Sequence, residues 1–229
     1  YWDPDLGALK VAHCTNATCS SSVISIVDDP STGSAGQSSG VTIGADGLPL
    51  VVYTVDQTSG PDALKAAHCS DAHCSSATLS TIASATSPSS CAVTVGSDGL
   101  VLISYIESGF RVAHCDNLLC TSATAVIVDA TVGALGHYFG TSIRIGSDGR
   151  ALASYYHDGD GNLKVAHCSN DLCSSATTVD AKISGDVGKH SSVTIGADGL
   201  PLVAYCHEDS GSVLVTHCSN RFCVPKARM

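Results

Sequence analysis

Leu9-Lys10-Val11-Ala12-His13-Cys14 decides how the chain folds, because the stretch returns at 64–69, 110–115, 163–168 and 214–218. In every copy a second cysteine stands five residues after the first, as Cys19, Cys74, Cys120, Cys173 and Cys223. The first cysteines lie 46 to 55 residues apart. A second stretch, Ile43-Gly44-Ala45-Asp46-Gly47-Leu48-Pro49-Leu50, has relatives starting at Val95, Ile145 and Ile195 and alternates strictly with the first. Self-similarity at one period marks a repeat array rather than separate domains.

Within one repeat, β-branched or alternating runs read as four short strands. These are strand A at 41–44, B at 50–54, C at 64–69 and D near 78–82. Asp46-Gly47, between A and B, tolerates positive φ and suits a tight hairpin. No segment has a 3.6-residue apolar period, so essentially no helix is expected. A four-stranded antiparallel meander of about fifty residues, repeated radially, is a propeller blade. The expected fold is therefore all-β, one β-propeller over residues 1–229 built from about four and a half repeats. The favoured count is four blades with an extra terminal strand, the N-terminal half-blade 1–29 completing the C-terminal partial blade 190–229. Five blades is the alternative.

Cysteines flanking four residues of a hairpin face each other at Cβ separations of roughly 4.5–5.5 Å, close to the span of a disulfide. Cys14–Cys19, Cys69–Cys74, Cys115–Cys120, Cys168–Cys173 and Cys218–Cys223 are accordingly read as structural disulfides. Each would contribute about 2 kcal/mol in the chain-entropy account. The rival, metal ligation by His13, Cys14, Cys19 and their copies, suffers because neighbouring strand residues point to opposite faces. His13, His68, His114, His167 and His217 recur at one strand position and read as buried neutral imidazoles bonded to the backbone of an adjacent blade or loop. Asp46, Asp98, Asp148 and Asp198 read as turn formers. Cys91 and Cys206 stand outside the five pairs and read as unpaired or intermolecular.

Candidate metal ligands gather where the repeat is least regular. His190, Cys206 and His207, with His157 at the matching position one repeat earlier, are compatible with Cu or Zn. Asp158, Asp160 and Asn162 could offer oxygens to Ca, without the bidentate Glu of an EF-hand loop. No cofactor is required. The formal charge of −10 argues against nucleic acid, and no run of eighteen apolar residues suggests a membrane span. Twelve cysteines point to an oxidising compartment, and the start at Tyr1 without Met fits a secreted, processed chain. Nucleophile elbows, phosphate loops and His-Glu-x-x-His motifs are missing, and the carboxylates read as scattered one per blade. A non-enzyme is expected.

The unit Asp-Gly-Leu-Pro-Leu-Val-x-Tyr followed by Leu-Lys-Val-Ala-His-Cys-x-Asn-x-x-Cys-Ser-Ser-Ala-Thr is similar to tandem repeats of secreted bacterial proteins. It is carried most faithfully at 13–19, 163–177 and 195–205, and departs in loop length at 55–110. The resemblance implies a propeller-type extracellular protein and transfers no catalytic residue. The leftover strand C at 213–218, Cys91 and Cys206 lead to an expected function. It is an extracellular structural or adhesive subunit that self-assembles as a homo-oligomer or filament, through a shared terminal strand or blade, with cell-surface or biofilm-matrix contacts. Opposite-sign termini (Asp3, Asp5, Asp28 and Asp29 against Arg221, Lys226 and Arg228) add to that reading. The alternative is a secreted metal- or ligand-binding propeller; a glycan-active hydrolase or lectin ranks below both.

Overall fold

A computed structural model describes residues 1–85, 87–133, 140–183 and 185–224. Its strands form five antiparallel sheets in chain order. The first holds β1 (Trp2–Asp3), β2 (Ala8–Cys14) and β3 (Ser22–Asp28). The second holds β4 (Ser34–Ile43), β5 (Pro49–Asp56), β6 (Asp62–Cys69) and β7 (Ala77–Ala85). The third holds β8 (Ser89–Val95), β9 (Val101–Ile106), β10 (Phe110–Cys115) and β11 (Ala123–Asp129). The fourth holds β12 (Thr141–Ile145), β13 (Ala151–His157), β14 (Asn162–Cys168) and β15 (Ala176–Lys182). The fifth holds β16 (Val187–Ile195), β17 (Pro201–His207) and β18 (Ser212–His217). The fold is an all-β propeller type built of antiparallel meanders, and its helical content among the described residues is one three-residue turn, Glu208–Ser210.

The two ends keep sheets of their own. β18 pairs with β17 (Tyr205 opposite Leu214), while β2 lies between β1 and β3. Among the described residues no pairing joins the first sheet to the fifth, and the strands stand as five sheets, an arrangement the five-blade alternative allows. Lys226 and Arg228, and the last residues of the expected partial blade 190–229, lie outside the described residues.

Blades pack face to face, with an apolar cluster at each of the four junctions. Strand B of the three complete blades is buried throughout except for the half-buried Asp56 that ends β5, as its two-sided packing requires. Tyr53, Tyr105, Tyr155 and Tyr205 occupy one repeat position on it, all buried. A buried phenol needs a partner, and the preceding blade supplies two of them. Asp28 accepts from Tyr53 (2.7 Å) and Lys65 (3.0 Å), and Asp129 from Tyr155 (2.9 Å) and Lys164 (3.4 Å). On strand A of the second sheet, whose face looks toward the shorter first sheet, Val41 is 62% exposed, whereas its counterparts Val93 and Val193 are 6% and 1% exposed. Each Val left uncovered forgoes about 1.5–3 kcal/mol.

The A–B turn is tied to strand C by a carboxylate–imidazole contact in place of the expected backbone partner. Asp46, Asp98, Asp148 and Asp198 each receive a backbone N–H two residues on, at 3.0–3.2 Å, through Oδ1. The other oxygen meets His68 (2.8 Å), His114 (2.7 Å), His167 (3.0 Å) and His217 (2.9 Å) respectively. The expected backbone partner is thus corrected to a carboxylate of the same blade, which reaches strand C across strand B. His13 belongs to a sheet lacking that turn; its Nδ1 has no hydrogen-bond partner and its ring lies 4.4 Å from His73.

All five disulfides form, with Cα–Cα distances of 4.7–4.9 Å. The local geometry differs from simple cross-strand pairing, since Cys14 lies opposite Ser22 and Cys69 opposite Ala77. The second cysteine sits inside the loop at φ of 51–56°, where its N–H bonds a carbonyl three residues back.

Gly188 shows how closely blades approach: at φ +112° its added Cβ would lie 2.7 Å from Leu163 Cα. Gly60, at φ +111°, has nothing within 4 Å of that position. Gly188→Ala should therefore destabilise by about 2–4 kcal/mol, and Gly60→Ala by only about 1–2 kcal/mol, in denaturant unfolding.

Candidate functional site

The B–C and D–A loops share one face, and there the repeat changes residue from blade to blade. Two positions past the recurrent Tyr stand Val55, Glu107, His157 and His207. Glu107 is 7% exposed; Arg111 Nε donates to its carbonyl oxygen at 2.7 Å and lies 3.6 Å from its Oε2. Burial, first, and then the Glu107 charge push the neighbouring Tyr105 phenol up to about 12.

Between the fourth and fifth blades this face concentrates charge. Lys189 Nζ lies 2.8 Å from Asp186 Oδ2, 4.0 Å from Glu208 Oε2 and 5.2 Å from the centre of the Tyr156 ring. Backbone bonds hold the loops together: Asp186 N–H donates to Asp209 Oδ2 (3.2 Å), and Glu208 N–H to the Asp186 carbonyl (2.9 Å). Gly185 permits this approach, because a Cβ there would fall 2.8 Å from Asp209 Oδ2 and 2.9 Å from His207 Cε1. Burial works against ionisation of Asp186, but hydrogen bonds from Lys189 and Tyr156 outweigh it and hold the carboxyl below the usual range. Its Oδ1 is buried without a hydrogen-bond partner. Two carboxylates bridged by one ammonium form the pair that the sequence reading did not find. Carboxylates expected one per blade meet here because Asp186, just before β16, and Glu208, just after β17, extend two paired strands of the fifth sheet.

The residues expected to bind metal are turned to other partners. His157 Nε2 meets Thr131 Oγ1 at 2.9 Å, and its Nδ1 lies 3.2 Å from Asp160. Asp158 accepts from Gly133 N–H (2.9 Å), and Asn162 donates to Asp180 (3.4 Å). Cys206 and His207, adjacent on β17, point to opposite faces, and His190 is exposed on β16 at φ +52°. Among the described residues no group of three His, Cys, Asp or Glu converges as a metal site, so the expected Cu, Zn or Ca cluster is not assembled. Tyr156, Asp186 and Lys189 were the residues missed. Tyr156 could have been flagged as a departure from Thr54 and Ile106 at its repeat position.

Cys91 and Cys206 are free thiols in different places. Cys91 is 7% exposed at the junction of the second and third blades, where its N–H donates to Ser38 Oγ at 2.9 Å. Burial pushes its thiol up to about 11. Of the two expectations for Cys91, unpaired or intermolecular, its enclosed free thiol fits the first.

No family model and no curated protein matches the sequence. Solved structures do match in fold. An endo-arabinase from Bacteroides thetaiotaomicron is 11% identical with TM-score 0.55, over 95% of this chain and 92% of that one. An alpha-L-arabinofuranosidase from Lactobacillus brevis is 10% identical with TM-score 0.54, over 86% and 78%. Fructan 1-exohydrolase IIa from Cichorium intybus is 12% identical with TM-score 0.52, over 93% of this chain and 44% of that one. At such identity the likeness establishes the fold. Every one of these names is an enzyme acting on a glycan. The expectations of a structural or adhesive role and of a non-enzyme are corrected accordingly.

Two outcomes follow from the geometry of these groups. A maleimide at pH 8 should label Cys206 in the native protein and Cys91 only after unfolding, as read by peptide mass spectrometry. The carboxyl of Asp46 is held low by the Leu48 N–H against burial, with His68 adding to the effect, and Asp186 is held low as described. Depressed folded-state values stabilise above about pH 4 and lose that contribution as pH falls through them. Thermal midpoints should drop below about pH 4, and Asp46→Asn should flatten part of the drop.

Proposed function

We propose that the chain is a secreted glycan-active hydrolase working on the loop face between its fourth and fifth blades. The observation that carries this reading is the Asp186–Lys189–Glu208 arrangement beside Tyr156. Glycoside hydrolysis needs two carboxyl groups, one to protonate the departing oxygen and one to act as base or nucleophile. Asp186, kept ionised by Lys189 and Tyr156, is suited to the second role. Glu208, whose side chain is 45% exposed, is open to substrate and takes the first. Tyr156 is buried, with Lys189 over its ring, and its hydroxyl helps to hold the Asp186 carboxylate in place.

Support for the substrate class comes from the similarly folded proteins, whose names specify arabinose-containing or fructan glycans. Five disulfides fit an oxidising, extracellular setting. No helix among the described residues is long and apolar enough to cross a membrane.

Purified protein should release reducing sugar from arabinan, arabino-oligosaccharides or fructan. Asp186→Asn should lower kcat by about 100-fold or more while KM changes only a few-fold, as loss of an acid–base group predicts. Folded protein that releases nothing from all three substrates, or an unchanged kcat in the variant, overturns the assignment.

A further inference from the structure

On the opposite face, at the same blade junction, the repeat changes a second time. The residue after the Asp-Gly turn is Leu48, Leu100 and Leu200 in three blades but Arg150 in the fourth. Three residues past the first cysteine stand Ala17, Ala72, Leu118, Asp171 and finally Arg221, which Phe222 follows. Arg150, Arg221 and Phe222 line one cavity of about 420 Å3 with Asp148, His167 and Thr177. That volume suits a small-molecule ligand.

The arginines are held in place without being used up. Arg150 Nη1 lies 2.6 Å from Asp171 Oδ1, which also accepts from Ser97 at 3.1 Å. Arg221 Nη1 lies 3.6 Å from Asp148 Oδ2, and its guanidinium stacks 4.8 Å from the Phe222 ring centre. Phe222 in turn meets His167 edge-on at 4.7 Å. A guanidinium has five N–H donors; Arg150 spends one on Asp171, and Arg221 meets Asp148 only at ion-pair distance. Side chains of Arg150 and Arg221 are 38% and 56% exposed, so the remaining donors are open to a ligand. Burial and then, more weakly, Arg221 and Arg150 hold the His167 imidazole below its ordinary range against the pull of Asp148. His167 therefore adds no positive charge at neutral pH, and the two arginines supply the attraction.

We propose that this cavity binds the carboxylate of an acidic sugar residue, a hexuronate, with the anion between Arg150 and Arg221 and the sugar against Phe222. Planar guanidinium pairs recognise carboxylates through parallel N–H bonds. The sugar half of the assignment rests on the hydrolase reading; the carboxylate half stands on the cavity alone.

The test titrates the protein with galacturonate, galactose and acetate at low salt, followed by NMR chemical-shift changes. Galacturonate should bind at least 10-fold more tightly than either galactose or acetate. Arg150→Leu and Arg221→Ala install residues the repeat already uses at those positions, so both variants should fold, and each should weaken galacturonate binding about 10-fold. Asp186→Asn should leave it unchanged. Equal affinity for galactose, or full affinity in both arginine variants, overturns the proposal; acetate binding as tightly as galacturonate removes the sugar half. Galacturonate binding by a chain that hydrolyses nothing would leave this site standing while the hydrolase reading falls.

Discussion

A blade of this chain is apolar on both faces and can bury neither by itself. β9 and β13 are buried along their whole lengths, and β5 up to its last residue, which needs a sheet in front and a sheet behind. Face-to-face burial is therefore the constraint on which the rest of the molecule depends. It explains why glycines mark the closest approaches and why small residues dominate the strands. It also explains the tyrosines, whose hydroxyls reach back to Asp28 and Asp129 of the preceding blade. A phenol–carboxylate bond across a packed junction adds orientation to a force that has none.

Within each blade a second device acts at right angles to that packing. The Asp–His contacts bind the innermost hairpin to the third strand, and the disulfide loops cap the same end. One face of the molecule is thereby braced identically in every complete blade. The opposite face carries loops of unequal length, free to differ because the braces lie elsewhere. Chemistry collects where identity between repeats breaks down, at Tyr156, Asp186 and Lys189 on one face and at Arg150, Arg221 and Phe222 on the other. Both sites fall at the junction of the fourth and fifth blades.

The comparison of sequence and structure turns on distance along the chain. Cys115 and Cys120 are joined within one short loop, so their spacing alone announces the bond. His114 and Asp98 are sixteen residues apart, yet their pairing needs the register of three strands. Adjacency in sequence is not convergence in space: Cys206 and His207 are neighbours that face apart. Conversely Asp186 and Glu208 lie in separate loops of the chain, and the pairing of β16 with β17 sets them side by side around Lys189.

What the sequence by itself determined is the unit: its period, its four strands, its Asp-Gly turn and its cysteine loop, all local patterns that recur and so reinforce one another. Only the tertiary structure decided how many sheets form, which end positions stay uncovered and which side chains meet at a junction. Those outcomes depend on blade-to-blade packing, whose partners lie about fifty residues apart. The residue pattern states what each face wants to bury, and the stacking of blades settles what it is buried against.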